Sequence, residues 1–235
     1  MATKGSYTDY KRDLYRHFAR VGRAVANPHR LEVLDLLSQG ERTVDDLALE
    51  LDTTISNTSQ HLQVLRTAGL VTSRKEGLFV HYSLASNHVG EFWRSLRALS
   101  LDLSAEAREL IQSFVHERDR LEPVNHEELL RRVQSGRTVV IDVRPGTEYD
   151  AGHIPGALSI PLDQLTTRIK EIPSGADVVA YCRGPYCLLS VDAVNILRER
   201  GHQAHRLVDG FPEWRASGLE VAQSAKDSMT RKDRR

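Results

Sequence analysis

The chain has 235 residues, 40% hydrophobic and 27% charged, with 32 Lys and Arg balancing 32 Asp and Glu. That length suits two domains better than one small one, and the composition is ordinary for soluble globular protein. No apolar run approaches the ~20 residues that span a bilayer, and Met1 to Ser6 lacks the apolar core of a secretory signal, so a membrane partner is not expected. The setting read from this is cytoplasmic. Thiols stay reduced there, and a chain with two cysteines points to catalysis or sensing rather than a structural staple. Charge is uneven: residues 1–100 carry 13 Lys and Arg against 11 Asp and Glu, 101–220 carry 14 against 19, and the last fifteen 5 against 2. So slight an excess in the first part is weak support for nucleic-acid binding, and any case for DNA must come from motif geometry.

In chain order, Tyr7, Tyr10, Leu14, Phe18, Val21 and Val25 recur at helical spacing. Asn27-Pro28 reads as an N-cap and first residue of a second helix, with the face Leu31, Val33, Leu34, Leu36, Leu37 and a stop at Gly40. Thr43-Val44-Asp45-Asp46 resembles a capping box opening a short helix with Leu47, Leu49 and Leu51. A further helix is expected from Ser56 to Thr67, with Leu62 and Leu65 inward and Gly69 as its stop. Strands Leu70–Arg74 and Phe79–Leu84 alternate around a turn at Lys75-Glu76-Gly77, giving helix-turn-helix followed by a hairpin. Val89, Phe92, Trp93, Leu96, Leu99 and Leu103 mark a long amphipathic helix. Ala107, Leu110, Ile111, Phe114 and Val115 continue it towards a boundary at Glu117–Pro123.

The second part alternates helices and strands. Asn125 caps a helix from Glu127 to Val133, and the near-continuous apolar run Thr138–Val143 predicts a strand covered on both faces. A helical turn near Glu148, a strand near Ile160, a helix Leu162–Ile172 and a strand Val178–Tyr181 follow. A helix after the cysteines, a strand Ala204–Leu207 and a helix around Trp214 complete an α/β order with a parallel sheet.

Both cysteines lie in Tyr181-Cys182-Arg183-Gly184-Pro185-Tyr186-Cys187, between a buried strand and a helix start. Backbone N–H groups and the helix dipole stabilise an anion at such a place, which makes Cys182 a candidate nucleophile. Gly184 lets the loop curl so that the N–H groups of residues 183 to 187, less Pro185, face the anion, and Arg183 adds a cation. Cys187 is either a small residue at the helix start or a resolving thiol that closes a disulfide after loop rearrangement.

Residues 20 to 84 resemble the ArsR/SmtB family of winged-helix repressors, through Asn27-Pro28-His29-Arg30-Leu31, Ser59 to Val71, and Arg74-Lys75-Glu76-Gly77 followed by Tyr82. The resemblance implies a homodimer placing two recognition helices on a pseudo-palindromic double-stranded DNA operator. Stripes Tyr10/Leu14/Phe18 and Phe92/Trp93/Leu96 exceed what a small monomer needs. Asn57, Ser59, Gln60, His61 and Arg66 would meet bases and phosphates, and Arg74 and Lys75 the flanking backbone. The polar residues could also be a solvated helix face, and His61 could be half-buried against the preceding helix. Many family members carry a metal-binding Cys-Val-Cys where this chain has Thr43-Val44-Asp45, so soft-metal sensing there is not supported. His81, His88, Glu91 and His116 match no metal spacing, and no metal or cofactor is expected. Leu78 stands after the wing glycine where Arg is frequent, which weakens the case for minor-groove contact.

Residues 123 to 221 resemble single-domain rhodaneses. The motifs are Ile141-Asp142-Val143-Arg144, Glu148-Tyr149, Gly152-His153-Ile154-Pro155-Gly156-Ala157, the Cys182 loop, and Gly210-Phe211-Pro212-Glu213-Trp214. The resemblance implies sulfurtransferase chemistry. Cys182 would attack a sulfane-sulfur donor such as thiosulfate or polysulfide, form a persulfide and pass the sulfur to a thiol, in a catalytic loop of Cys182, Arg183, Gly184 and Cys187. Asp142, Arg144 and His153 are expected to build the scaffold rather than a catalytic triad. Phosphatases and arsenate reductases on this fold have a loop one residue longer with Arg six positions after the cysteine; here that position is Leu188, which favours sulfur. Asp209-Gly210 replaces the Gly pair of many relatives.

The fold expected is thus α/β multidomain: a winged helix with dimerisation surface (1–100), a helical connector (101–122), a rhodanese-like α/β domain with a parallel sheet (123–221) and a basic disordered tail (222–235). The expected function is a transcriptional regulator whose Cys182 senses or handles sulfane sulfur; the alternative is a sulfurtransferase with an ancillary DNA-binding half.

Overall fold

The computed structural model describes residues 4–116 and 123–224. Two compact units divide the chain, Met1–Ala98 and Leu99–Arg235.

In the first unit, α1 (Lys4–Val25) and α2 (Pro28–Gln39) are followed by β1 (Arg42–Thr43), α3 (Val44–Glu50), α4 (Ile55–Thr67), β2 (Val71–Glu76), β3 (Phe79–Leu84) and, up to Ala98, α5 (Asn87–Leu103). The local signals act as read. The Asn27 side chain accepts from the Arg30 N–H with Pro28 at the helix start, and Gly40 ends α2. Thr43 and Asp46 form a reciprocal capping box. Val33, Leu34, Leu47, Leu62 and Leu65, all fully buried, join α2, α3 and α4 into one core, with Val89 and Trp93 of α5 packed on it. The Trp93 indole N–H donates to Asp35 at 2.9 Å, pinning α5 to α2.

Three details differ from expectation. β1 adds a third strand, Arg42 and Thr43 pairing with Tyr82 and His81, so the sheet order is β1-β3-β2. The hairpin ladder runs through Lys75–Val80 and Glu76–Phe79, so the turn is Gly77-Leu78 rather than Lys75-Glu76-Gly77. Gly77, at φ 60°, supplies the left-handed conformation that a two-residue hairpin turn requires. The expected long connector is also not one helix: Ser104 is extended and its side chain accepts the Ala107 N–H, starting a new helix.

The second unit contains α6 (Ala105–Ile111), a π-turn at Gln112–His116, α7 (His126–Gln134), β4 (Thr138–Asp142), α8 (Gly146–Ala151), β5 (Leu158–Ser159) and α9 (Leu162–Arg168) with a 3-10 turn after it. It continues with β6 (Asp177–Tyr181), α10 (Leu189–Glu199), β7 (Gln203–Arg206) and α11 (Phe211–Ala216). The sheet is parallel throughout, in the order β5-β4-β6-β7. Side chains alternate along β6: Val178, Ala180 and Cys182 pack into the layer with α9 and α10, whereas Val179 and Tyr181 face Leu129, Phe211 and Trp214. That alternation turns Cys182 towards the start of α10. The folded chain continues past residue 221. Ala222 bridges His153 and the Ser224 hydroxyl donates to Asp150 at 2.6 Å, which carries the fold into the first residues of the expected tail. The rest of that tail, 225–235, and the boundary 117–122 lie outside the described residues.

Candidate functional site

The chain leaves β4 towards β5 on one side of the sheet and leaves β6 towards β7 on the other. A parallel sheet opens a crevice at the carboxyl ends of two such strands, where α/β proteins bind ligands. Asp142 ends β4 and Cys182 follows β6 at this crevice. The buried Glu148, which follows β4, and Arg183, which follows β6, join across it: the Arg183 Nε donates to Glu148 at 2.8 Å and its terminal nitrogen lies 2.6 Å from the same oxygen.

Cys182 is only 2% exposed. Its Sγ lies 3.1 Å from the Ser190 hydroxyl, 3.6 Å from the Cys187 carbonyl oxygen and 3.7 Å from that of Gly184. Burial pushes this thiol up, but hydrogen bonds from the Cys187 thiol, the Ser190 hydroxyl and the backbone N–H groups of Gly184 and Ser190 outweigh it and bring it down to about 7. Cys187, half-buried, is pushed up by its hydrogen bond to Cys182, by burial and by the neighbouring thiolate. One proton therefore stays on Cys187 when Cys182 gives up its own. Of the N–H groups expected to face the anion, Gly184 supplies one. The Cys187 N–H instead donates to the Gly184 carbonyl at 3.1 Å, closing the loop into a turn. Arg183 lies on Glu148.

Ser190 was not singled out by sequence. Its position eight residues after Cys182, the second residue of the helix that follows the loop, is the signal that could have found it. Gly210 also has a role here. A Cβ on it would lie 2.2 Å from the Gly184 nitrogen and 2.4 Å from the Arg183 carbonyl carbon, so the loop backbone rests directly on this glycine. The Phe211 N–H donates to the Cys182 carbonyl at 3.1 Å and fixes the other side of the contact.

Asp142, Arg144 and His153 are held in the scaffold. Asp142 and Arg144 form a fully buried ion pair at 2.6 Å, Arg144 also donates to the Gly152 carbonyl at 2.7 Å, and its guanidinium lies 4.4 Å from the centre of the Phe211 ring. His153 stacks on Tyr149 at 3.6 Å.

In the first unit, α4 begins at the Thr54 cap, turns Thr58, Leu62 and Leu65 inward and exposes Ser59, Gln60 and Arg66. Asn57 is half-buried, its amide donating to the Thr53 hydroxyl at 3.0 Å. His61 is half-buried with its ring 5.4 Å from that of His29, and burial, then His29 and Arg30, push its pKa down. Arg66 donates to Gln63 at 2.9 Å and to Ser73 at 3.3 Å. On the wing, Arg74 is held by Glu41, at 2.9 Å through its Nε, and by Glu76, while Lys75 is exposed. The Glu41 partnership spans 33 positions and has no local sequence signal. Among the described residues, no group of three or more His, Cys, Asp or Glu could hold a metal ion, and no helix is long and apolar enough to cross a membrane.

Comparison with known proteins agrees with this division. Residues 27–73 match the family described as bacterial regulatory protein, arsR family, and residues 125–217 match the rhodanese-like domain. The HTH-type transcriptional regulator Rv0324 of Mycobacterium tuberculosis is 40% identical over 222 residues, covering 93% of this chain and 96% of that protein. The chain belongs to the ArsR family of transcriptional regulators. Within that family it carries a C-terminal rhodanese-like domain, matched over residues 125–217. The regulator CmtR of Mycobacterium bovis is 41% identical over 88 residues, 36% of this chain and 75% of its own. A solution structure described as the homodimeric winged helix-turn-helix domain of Mb0332 from Mycobacterium bovis, a possible ArsR-family regulator, is 37% identical. It covers 43% of this regulator and 90% of that chain, with a TM-score of 0.40.

Proposed function

We propose that this regulator responds to sulfane sulfur through Cys182. The thiolate attacks the outer sulfur of thiosulfate or the terminal sulfur of a polysulfide, and sulfite or a polysulfide shortened by one sulfur leaves. The resulting persulfide alters the affinity of the winged-helix unit for its operator through the segment 87–121. The observation that carries this reading is the buried Cys182 thiol just past the carboxyl end of β6, its Sγ 3.1 Å from the Ser190 hydroxyl, with the Gly184 and Ser190 N–H groups lowering its pKa. The only other cysteine of the chain lies in the same loop, so thiol sensing has nowhere else to occur.

The DNA-binding part of the proposal gives Ser59 and Gln60 the base contacts, with Asn57 and His61 beside them. Arg66, Arg74 and Lys75 go to the phosphates. A homodimer in the cytoplasm is part of the same reading. Tyr7, Tyr10 and Phe18 of α1 and Phe92 and Leu99 of α5 are 37–67% exposed, more apolar surface than a lone unit of this size leaves in water.

The deciding experiment is a DNA-binding titration of the full chain, persulfidated and reduced, beside Cys182→Ala. The proposal expects operator affinity to change on persulfidation and Cys182→Ala to be insensitive. Unchanged affinity with brisk thiosulfate turnover would refute it in favour of a sulfurtransferase whose DNA-binding half is ancillary.

A further inference from the structure

We infer that Cys187 is an internal resolving thiol: it converts the Cys182 persulfide into a Cys182–Cys187 disulfide and expels the acquired sulfur as hydrosulfide. This rests on the proposed reaction of Cys182 with sulfane sulfur and adds the fate of the sulfur. The disulfide, not the persulfide, is then the state in which the protein retains the encounter.

The loop geometry supports it. The turn closed by the Cys187 N–H on the Gly184 carbonyl folds residue 187 back over residue 182. The Cys182 Sγ lies 3.6 Å from the Cys187 carbonyl oxygen, and both side chains pack against the same layer under α10. Closing the disulfide still needs the loop to rearrange, as expected, from a turn that starts with residue 187 beside residue 182. A thiol held beside the reacting sulfur has a large effective concentration over any acceptor from solution. An outside acceptor must also reach a residue that is 2% exposed, which Cys187 need not do.

The step balances with no further reagent. Cys187 Sγ attacks Cys182 Sγ, the bond from Cys182 Sγ to the sulfane sulfur breaks, and its electron pair leaves with that sulfur. A persulfide anion and a Cys187 thiol give a disulfide and HS⁻, the Cys187 proton ending on the departing sulfur. Relative to the two starting thiols, the cysteines lose two electrons and the sulfane sulfur gains them, so the sulfur donor is the oxidant. Attack needs the Cys187 thiolate; the Cys182 thiolate that keeps Cys187 protonated is gone once Cys182 has reacted, and the proton Cys187 gives up goes to the departing sulfur. External thiols then reset the loop by exchange at Cys187, the less enclosed of the two sulfurs.

The test uses the full chain, inorganic polysulfide as probe, anaerobic conditions, intact-mass analysis and a sulfide assay. Wild type is expected to lose two hydrogens and release sulfide stoichiometrically with disulfide formation. Cys187→Ser and Cys187→Ala should instead hold one extra sulfur on Cys182 and release sulfide about tenfold more slowly or less. If wild type and both variants hold the extra sulfur alike, or if mapping finds it on Cys187 with no disulfide, the inference is overturned while sulfur capture at Cys182 stands. If neither wild type nor the variants gain sulfur or form a disulfide, capture itself fails, and this inference with it. Wild-type mass decides the first question even if a variant misfolds.

Discussion

Gly210→Ala isolates what the loop needs from its surroundings. At φ −103° and ψ −171° the backbone of residue 210 is one that any amino acid adopts, so the substitution carries no conformational penalty. The cost is steric. The new methyl carbon would stand 2.2 Å from the Gly184 nitrogen, 2.4 Å from the Arg183 carbonyl carbon and 2.5 Å from the Gly184 Cα, all main chain, whereas ordinary contact begins at 3.4 Å. The loop must therefore retreat by about 1 Å, and overpacking of this kind costs about 1–3 kcal/mol. A displacement of that size at reacting groups lowers a rate by about 100-fold, and here it separates Cys182 from the Ser190 hydroxyl at 3.1 Å. The assay is the rate of Cys182 alkylation by iodoacetamide at neutral pH, read by peptide mass, with a urea unfolding curve alongside. Gly146→Ala is the control, since its added carbon meets nothing within 4 Å. If Gly210→Ala matches wild type in both alkylation rate and unfolding midpoint, the account of the loop resting on Gly210 is wrong.

Alkylation of Cys182 should rise with pH and level off above about 7. In Ser190→Ala the midpoint should move up by about one unit, the equivalent of about 1.4 kcal/mol lost from the thiolate; an unmoved midpoint removes Ser190 from the site. The same shift has a stability side. A thiol lowered on folding stabilises the fold fully above the unfolded thiol's pKa, and that contribution fades as pH falls through about 7, so Ser190→Ala should narrow the difference between urea midpoints at high and low pH. On the wing, Lys75→Ala should lower the slope of log affinity against log salt by about one and weaken operators and random DNA alike. Glu41→Gln should tighten DNA binding at low salt by loosening Arg74; equal affinity for Glu41→Gln and wild type would show that Arg74 never leaves its carboxylates for a phosphate.

The helix boundaries and the order of motifs were legible because local chemistry decides them. The Asn27 and Thr43 caps act within four residues, and the β4 and β6 apolar runs declare a sheet covered on both faces. β1 was not legible, since Arg42 and Thr43 are too few to show alternation and pair with residues some 40 positions away. The break at Ser104 was hidden because apolar spacing continues on both sides of it, leaving only one serine to mark the new start. Within the site, the cysteines and Gly184 were visible as a motif, but their partners were not. Arg183 finds Glu148 across 35 positions, and Gly210 reaches the loop from the other end of the domain's sequence. Such contacts are made by sheet topology, which no short window contains.

The near-complete enclosure of Cys182 also selects by size. A small inorganic chain of sulfur atoms can thread to a sulfur that shows almost no surface, while a bulky peptide disulfide must wait for the loop to open. The loop then discriminates among oxidants kinetically, by admission rather than by affinity. On the sulfane-sulfur response proposed above, general disulfide traffic would leave the regulator unmoved while a pulse of polysulfide would register.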